Sequence, residues 1–232
     1  MPPITAGDID KGFGDGCFAM NDEPAGRRDG EGRSPRTKGR KALTDGEVAA
    51  GRARILAAAR TLFAQKGYAA VSIRAVAAMA DMSAMSLYRY YPNKRGILVH
   101  IWAEIFSDIF AAGRAAAAQH EDPRAALEAY AVAFVRYWID NPENYVMVYG
   151  ERDAPVGGEA FFADSGIVAG ELAFFGGLIE RAGKPPESVD LLLQQFICAM
   201  HGVCNSLIMI PEMRWAPAET LIRGMVSALL RD

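Results

Sequence analysis

Cationic and hydroxyl side chains crowd one stretch of this chain. Arg52, Arg54, Arg60, Lys66, Arg74, Arg89, Lys94 and Arg95 are interleaved there with Ser72, Ser83, Ser86, Tyr88 and Tyr90. Such groups suit phosphate oxygens, which position a protein on a nucleic acid without reading its sequence. The charge balance points the same way. Residues 33–95 carry 13 basic and 3 acidic side chains, whereas residues 96–232 carry 9 basic and 18 acidic. A basic block joined to an acidic body implies a polyanion-binding segment attached to something else. Chemistry of the enzymatic kind has no comparable signal. The three histidines, His100, His120 and His201, and the three cysteines, Cys17, Cys198 and Cys204, show no metal-ligand spacing and no C-x-x-C pair. No nucleophile–base pair or Gly-rich phosphate loop stands out either. No metal or cofactor is therefore expected, and an enzyme with a helical pocket is the weaker alternative.

The elements that must carry these side chains read as helices. Ile55, Ala59, Leu62 and Phe63 recur at helical spacing, and Gly67 can end that helix. Ser72 can cap a second helix, Ile73 to Ala80, and Ser83 a third, Ala84 to about Tyr90. Pro92 stops the third, and a long helix opens at Lys94. Two short capped helices joined by the tight turn ADMS describe a helix-turn-helix. Asp81 falls where the turn needs a residue able to enter the left-handed region, which Asp manages better than most.

The stretch RILAAARTLFAQKGYAAVSIRAVAAMADMSAMSLYRYYPNKRGIL resembles the DNA-binding domain of the TetR family from end to end. The resemblance covers about fifty residues and includes LFAQKGY, VSIRAVA and LYRYYPNKRGIL. It implies that Ser72, Tyr90 and Lys94 hold phosphates, and that Arg74, Ala84, Met85, Ser86 and Tyr88 lie in or near the major groove. The sequence departs from the family where Asp81 replaces a usual glycine, and where Ala84 and Met85 begin the recognition helix. Few side chains there can make bidentate base contacts, so readout falls to Arg74, Arg89, apolar contact with thymine methyls and DNA shape. Leu87 and Tyr91 are expected in the core.

Beyond Pro123 the spacing predicts helices and no strand. One carries Leu127, Tyr130, Phe134 and Trp138. A short one follows Pro142, then others span about Phe161–Ala182, Pro186–Ile210 and Pro217–Leu230. The fold class is all-α, about nine helices: an N-terminal three-helix bundle with the helix-turn-helix, and a larger C-terminal helical ligand and dimerisation domain. Residues 1–45, rich in Gly, Asp, Arg and Pro, are expected to be a disordered tail with a basic end, Arg33–Lys41. Met20 is an alternative start. The DNA-binding domain then spans 46–95 and the regulatory domain 96–232.

The C-terminal half is similar to a TetR subgroup named for a Trp-His-Gly motif, with Met200-His201-Gly202 at the matching place. The resemblance implies a homodimer joined through the last two long helices, with Phe196, Val203, Leu207, Leu221 and Met225 at the interface. Trp102, Phe106, Tyr130, Phe134, Trp138, Tyr145, Phe174, Met200 and His201 read either as ordinary core or as the wall of a pocket for a small apolar or aromatic effector. Cys198 and Cys204 are expected to be inert buried thiols. The implied function is a sequence-specific regulator on a palindromic double-stranded operator, acting as a repressor released by its effector. An activator and a ligand-independent DNA-binding protein remain open. No apolar run of 18 residues free of charges and turn residues is present, and the N-terminus lacks a secretory signal. A cytoplasmic protein without a membrane partner is the expectation.

Overall fold

The computed structural model describes residues 44–150 and 166–231. The expected tail, its basic end and Cys17 lie outside the described residues, as do the loop at 151–158 and the first turn of the helix expected from Phe161. Two compact units divide between Ala53 and Arg54. The first is described only over residues 44–53, the start of the first helix.

Among the described residues there are nine α-helices and no strand. α1 spans Asp45–Lys66, α2 Ile73–Met79, α3 Ala84–Leu87, α4 Lys94–Ala117 and α5 Pro123–Asp140. α6, Pro142–Tyr145, runs on as one π-helical turn, Val146–Gly150. α7 spans Gly166–Arg181, α8 Pro186–Met209 and α9 Ala218–Leu229. The glycines of α7 do not interrupt it. α3 is shorter than the spacing suggested. After Leu87 the chain closes with Tyr90 N donating to Leu87 O at 2.9 Å, and Tyr91 N to the same carbonyl at 3.1 Å.

Local chemistry sets these boundaries. Thr44 and Glu47 form a reciprocal capping box: Thr44 N donates to Glu47 Oε2 at 2.8 Å, and Glu47 N to Thr44 Oγ1 at 3.3 Å. Those bonds hold the Glu47 carboxyl below its ordinary pKa, the Thr44 backbone bond foremost. Gly67 ends α1 at φ 74°, its N–H reaching Phe63 O. The Asn93 side chain caps α4 through Gly96 N at 2.8 Å, and Asp122 caps α5 through Ala125 N at 2.9 Å, with Pro123 in its first turn.

α5 is the centre of the C-terminal body and packs against α4, α7, α8 and α9. Leu127, Tyr130, Val135 and Trp138 are fully buried along it. From α4, Ile97, Leu98, Ile101, Ile105 and Ile109 continue the core towards the N-terminal helices. α4 crosses the boundary expected at residues 95 and 96 without a break. An Arg60–Glu104 ion pair at 2.8 Å joins α1 to α4. Arg124 donates to the Leu230 carbonyl at 2.8 Å, satisfying an acceptor at the end of α9.

α4 and α8 are both long and apolar enough to cross a membrane by composition alone. α4 owes this to its place in the core, where much of it is buried. α8 is different, because only 17% of its most apolar stretch is buried within the chain.

Candidate nucleic-acid interface

The turn between α2 and α3 rests on one backbone torsion. Asp81 has φ 53°, the sole non-glycine residue at positive φ among those described. The chain reverses there, and Met82 N reaches back to Ala77 O at 3.0 Å. Two serines then set the helix starts. Ser72 Oγ accepts from Ala75 N at 3.2 Å, and Ser83 Oγ from Ser86 N at 3.1 Å. The Ser83 and Ser86 hydroxyls also lie 2.9 Å apart. A capping oxygen used as acceptor still has its proton to donate, and an anionic oxygen is a natural taker.

Val76, Ala77, Leu87 and Tyr91 pin this unit from beneath, all buried. Its outer face carries Ser72, Arg74, Ser83, Met85, Tyr88 and Arg89, all exposed, while Ala84, Ser86 and Tyr90 are half-buried. Met85 is 78% exposed, the most uncovered large apolar side chain of the described residues. Arg52 is half-buried on α1, in the other compact unit.

Lys94 departs from the expectation of a phosphate contact. Its ammonium donates inward, to Tyr68 O at 2.6 Å and Val71 O at 2.8 Å, and sits 4.0 Å from the Tyr68 ring centroid. A third carbonyl, Ala69 O, lies at 3.4 Å. An ammonium has three protons, so these carbonyls take its donating capacity. Lys94 thereby ties the start of α4 to the turn between α1 and α2. Spacing could not show this, because its partners are loop carbonyls more than twenty residues upstream.

The aromatic residues of the C-terminal body fall into two clusters. Around Trp138 stand Phe106 and Phe134 at 6.1 Å each and Tyr145 at 5.5 Å, with His201 at 5.7 Å from Phe134. Burial lowers the His201 pKa, so its imidazole is neutral at pH 7. The second cluster joins Tyr130 to Phe174 at 5.9 Å and to Phe175 at 4.5 Å. Met200 is buried and Trp102 half-buried. Two polar residues that spacing did not single out, Arg114 and Glu171, border the Tyr130 cluster. Arg114 Nε lies 2.7 Å from Glu171 Oε2, and its guanidinium 4.5 Å from the Phe174 ring centroid.

Two further expectations are corrected. Phe196 does not face outward: it is fully buried in its own chain, 5.1 Å from Phe175. Helical spacing marked an apolar stripe but not which of two apolar faces pointed inward. Cys198 is exposed, unlike Cys204, whose thiol burial pushes up to about 12. Val203, Leu207, Leu221 and Met225 are each half-buried.

Residues 55–101 match the family model described as bacterial regulatory proteins, tetR family. Over 63 residues the chain is 44% identical to the HTH-type transcriptional repressor KstR of Rhodococcus jostii (strain RHA1). That stretch is 27% of this chain and spans 30% of the relative's length. Solved structures share the fold over more of the chain. A tetR-family bacterial regulatory protein from Rhodococcus RHA1 aligns with TM-score 0.60 and 25% identity, covering 78% of this chain and 95% of that one. The transcriptional regulator FadR of Bacillus subtilis, in complex with stearoyl-CoA, aligns with TM-score 0.65 and 16% identity, covering 77% and 97%.

Proposed function

The chain belongs to the tetR family of bacterial regulatory proteins, and from that premise we propose that it is a homodimeric repressor that binds a palindromic operator and is released by a small apolar effector. The observation that carries this reading is the outer face of α2 and α3. Exposed arginines and hydroxyls stand there on a turn held by Asp81, over a buried Leu87 and Tyr91. Ser72, Ser83, Ser86 and Tyr90 hold phosphates. Arg52, Arg74 and Arg89 supply cationic contacts, and Met85, Ala84 and Tyr88 meet base edges. Lys94 supports that surface from behind. The relative named above is a repressor rather than an enzyme. Residues 46–95 are the DNA-binding part, residues 1–45 a tail whose basic end adds phosphate contacts, and residues 96–232 the regulatory part. An operator partner puts the protein in the cytoplasm.

The second copy covers α8 and α9. On α8, Leu191, Gln195, Cys198, Gly202, Asn205 and Met209 are exposed at steps of three and four residues, flanked by Val203 and Leu207. On α9, Thr220, Gly224 and Ala228 are exposed beside Leu221 and Met225. Such faces need a cover, and an isologous two-fold contact supplies it from the same residues. A dimer also matches a palindrome, with half-sites about one helical turn apart, roughly 34–36 Å.

The effector enters the C-terminal body among the aromatic residues around Trp138 and Tyr130. The FadR structure, of the same fold, holds stearoyl-CoA, which supports a largely apolar ligand here. Effector and operator weaken each other equally by linkage. Footprinting on the DNA upstream of the protein's own gene tests the reading. Two protected half-sites related by a dyad are expected, and the absence of any protected stretch overturns it.

A further inference from the structure

We propose that Glu171 Oε1 and the Tyr130 hydroxyl form the polar end of a ligand site between α4, α5 and α7, and that this end takes the hydroxyl group of an otherwise apolar alcohol or phenol. The inference rests on the reading of the C-terminal body as an effector domain, and it names the chemistry of the effector.

Glu171 is the one charged residue buried in the core of the described chain, at 3% exposure. Arg114 engages a single oxygen of its carboxylate: Nε and Nη2 both lie 2.7 Å from Oε2. Arg114 Nη2 also donates to Gly170 O at 3.1 Å. The other oxygen, Oε1, is buried and has no hydrogen bond. The same holds for the hydroxyl of Tyr130, which is fully buried. The two groups are neighbours, since the carboxylate acts with burial, the larger cause, to raise the Tyr130 pKa. The phenol therefore keeps its proton and can donate. A carboxylate paired with a guanidinium only accepts.

Buried polar atoms without partners are uncommon, because each forfeits the hydrogen bonds it made in water. Here two such atoms stand together, one acceptor and one donor. A hydroxyl oxygen satisfies both at once, donating to Oε1 and accepting from Tyr130. An ammonium donates but cannot accept, an ether accepts but cannot donate, and a carboxylate meets the like charge of Glu171. The surroundings suit an apolar remainder, since Phe174 and Phe175 flank the Tyr130 ring. The ring's place depends on Gly113, where an added Cβ would fall 2.5 Å from the ring carbons.

Thermal shift and calorimetry on the full-length protein test this. The probes are 1-octanol, cyclohexylmethanol and 4-ethylphenol, each against its methyl ether, with octanoate as the charged control. At least one alcohol or phenol should raise Tm, its ether should not at equal concentration, and octanoate should not. Tyr130→Phe removes only the orphan hydroxyl. It should leave Tm without ligand unchanged or higher, and weaken the binding of that alcohol or phenol about tenfold. Gly113→Ala, which displaces the ring, should weaken it as well. If ethers stabilise as well as alcohols, the polar end is wrong while the apolar effector site stands. If no probe binds, both are wrong. If Tyr130→Phe lowers Tm without ligand, the hydroxyl serves the fold through a bound water, and the proposal is overturned.

Discussion

The α2–α3 unit and the α8–α9 pair both expose side chains, and they expose opposite chemistries. Around the Asp81 turn the outer face is cationic and hydroxylic, over a fully buried Leu87. Along α8 the outer face is apolar or small, and Leu191 and Met209 are at least half exposed. Water tolerates the first face well and the second poorly. The first needs no partner to be stable, so its composition speaks of a polyanion met only at times. The second speaks of a permanent cover. Met85 breaks the pattern, an apolar side chain set amid polar ones, where a thymine methyl is its natural contact.

Breaking the permanent cover should have the largest effect. Val203→Glu or Leu207→Glu places an unpaired carboxylate at the centre of the α8 face, at a cost of about 3–5 kcal/mol. Sedimentation should show a dimer becoming a monomer, with operator affinity falling at least about 100-fold as the two half-sites uncouple. A wild-type monomer at micromolar concentration would remove the basis of that comparison. Next come the cations of the other face. Arg74→Ala or Arg89→Ala should cost about 1–3 kcal/mol of operator binding, and relax preference at one base position if the residue reads a base. Fluorescence anisotropy over a set of single-base operator variants measures this.

Lys94 sharpens the comparison from within the basic segment. Lys94→Met should weaken binding to operator and unrelated DNA alike while leaving the salt slope unchanged, since the ammonium spends its protons on Tyr68 and Val71 carbonyls. A slope reduced by about 0.9 would restore Lys94 as a phosphate contact. The smallest effect belongs to His201. Its folded pKa is lowered by burial, so the unfolded chain binds the proton more readily. Its contribution to stability is full above the unfolded value near 6.5 and is lost as pH falls through that value towards the folded one. Thermal unfolding of His201→Phe should therefore decline less than wild type on going from pH 7 to pH 5.

The helices themselves were legible, because caps and breakers are local. Ser72, Ser83, Asp122 and Pro123 act within one turn of where they stand, and the Asp81 torsion follows from a turn that demands it. What escaped were choices made by tertiary packing. Phe196 and Val203 lie on the same apolar helix, and only the position of α7 decides that Phe196 turns inward. Lys94 looked like other cations until the carbonyls beside Tyr68 were placed near it. Glu171 had no periodic signal at all, since a buried carboxylate is defined by its partner, here an arginine 57 residues upstream.

The central claim is that the α2–α3 face binds duplex DNA and reads its sequence. The most direct test is the affinity for the DNA upstream of the gene and for a scrambled duplex, each followed across salt concentration. Both should weaken steeply, by about 0.9 in log–log slope for each phosphate neutralised, and the upstream DNA should bind on the order of 10³-fold more tightly at the same salt. A flat salt response, or equal affinity for the two duplexes, would contradict it.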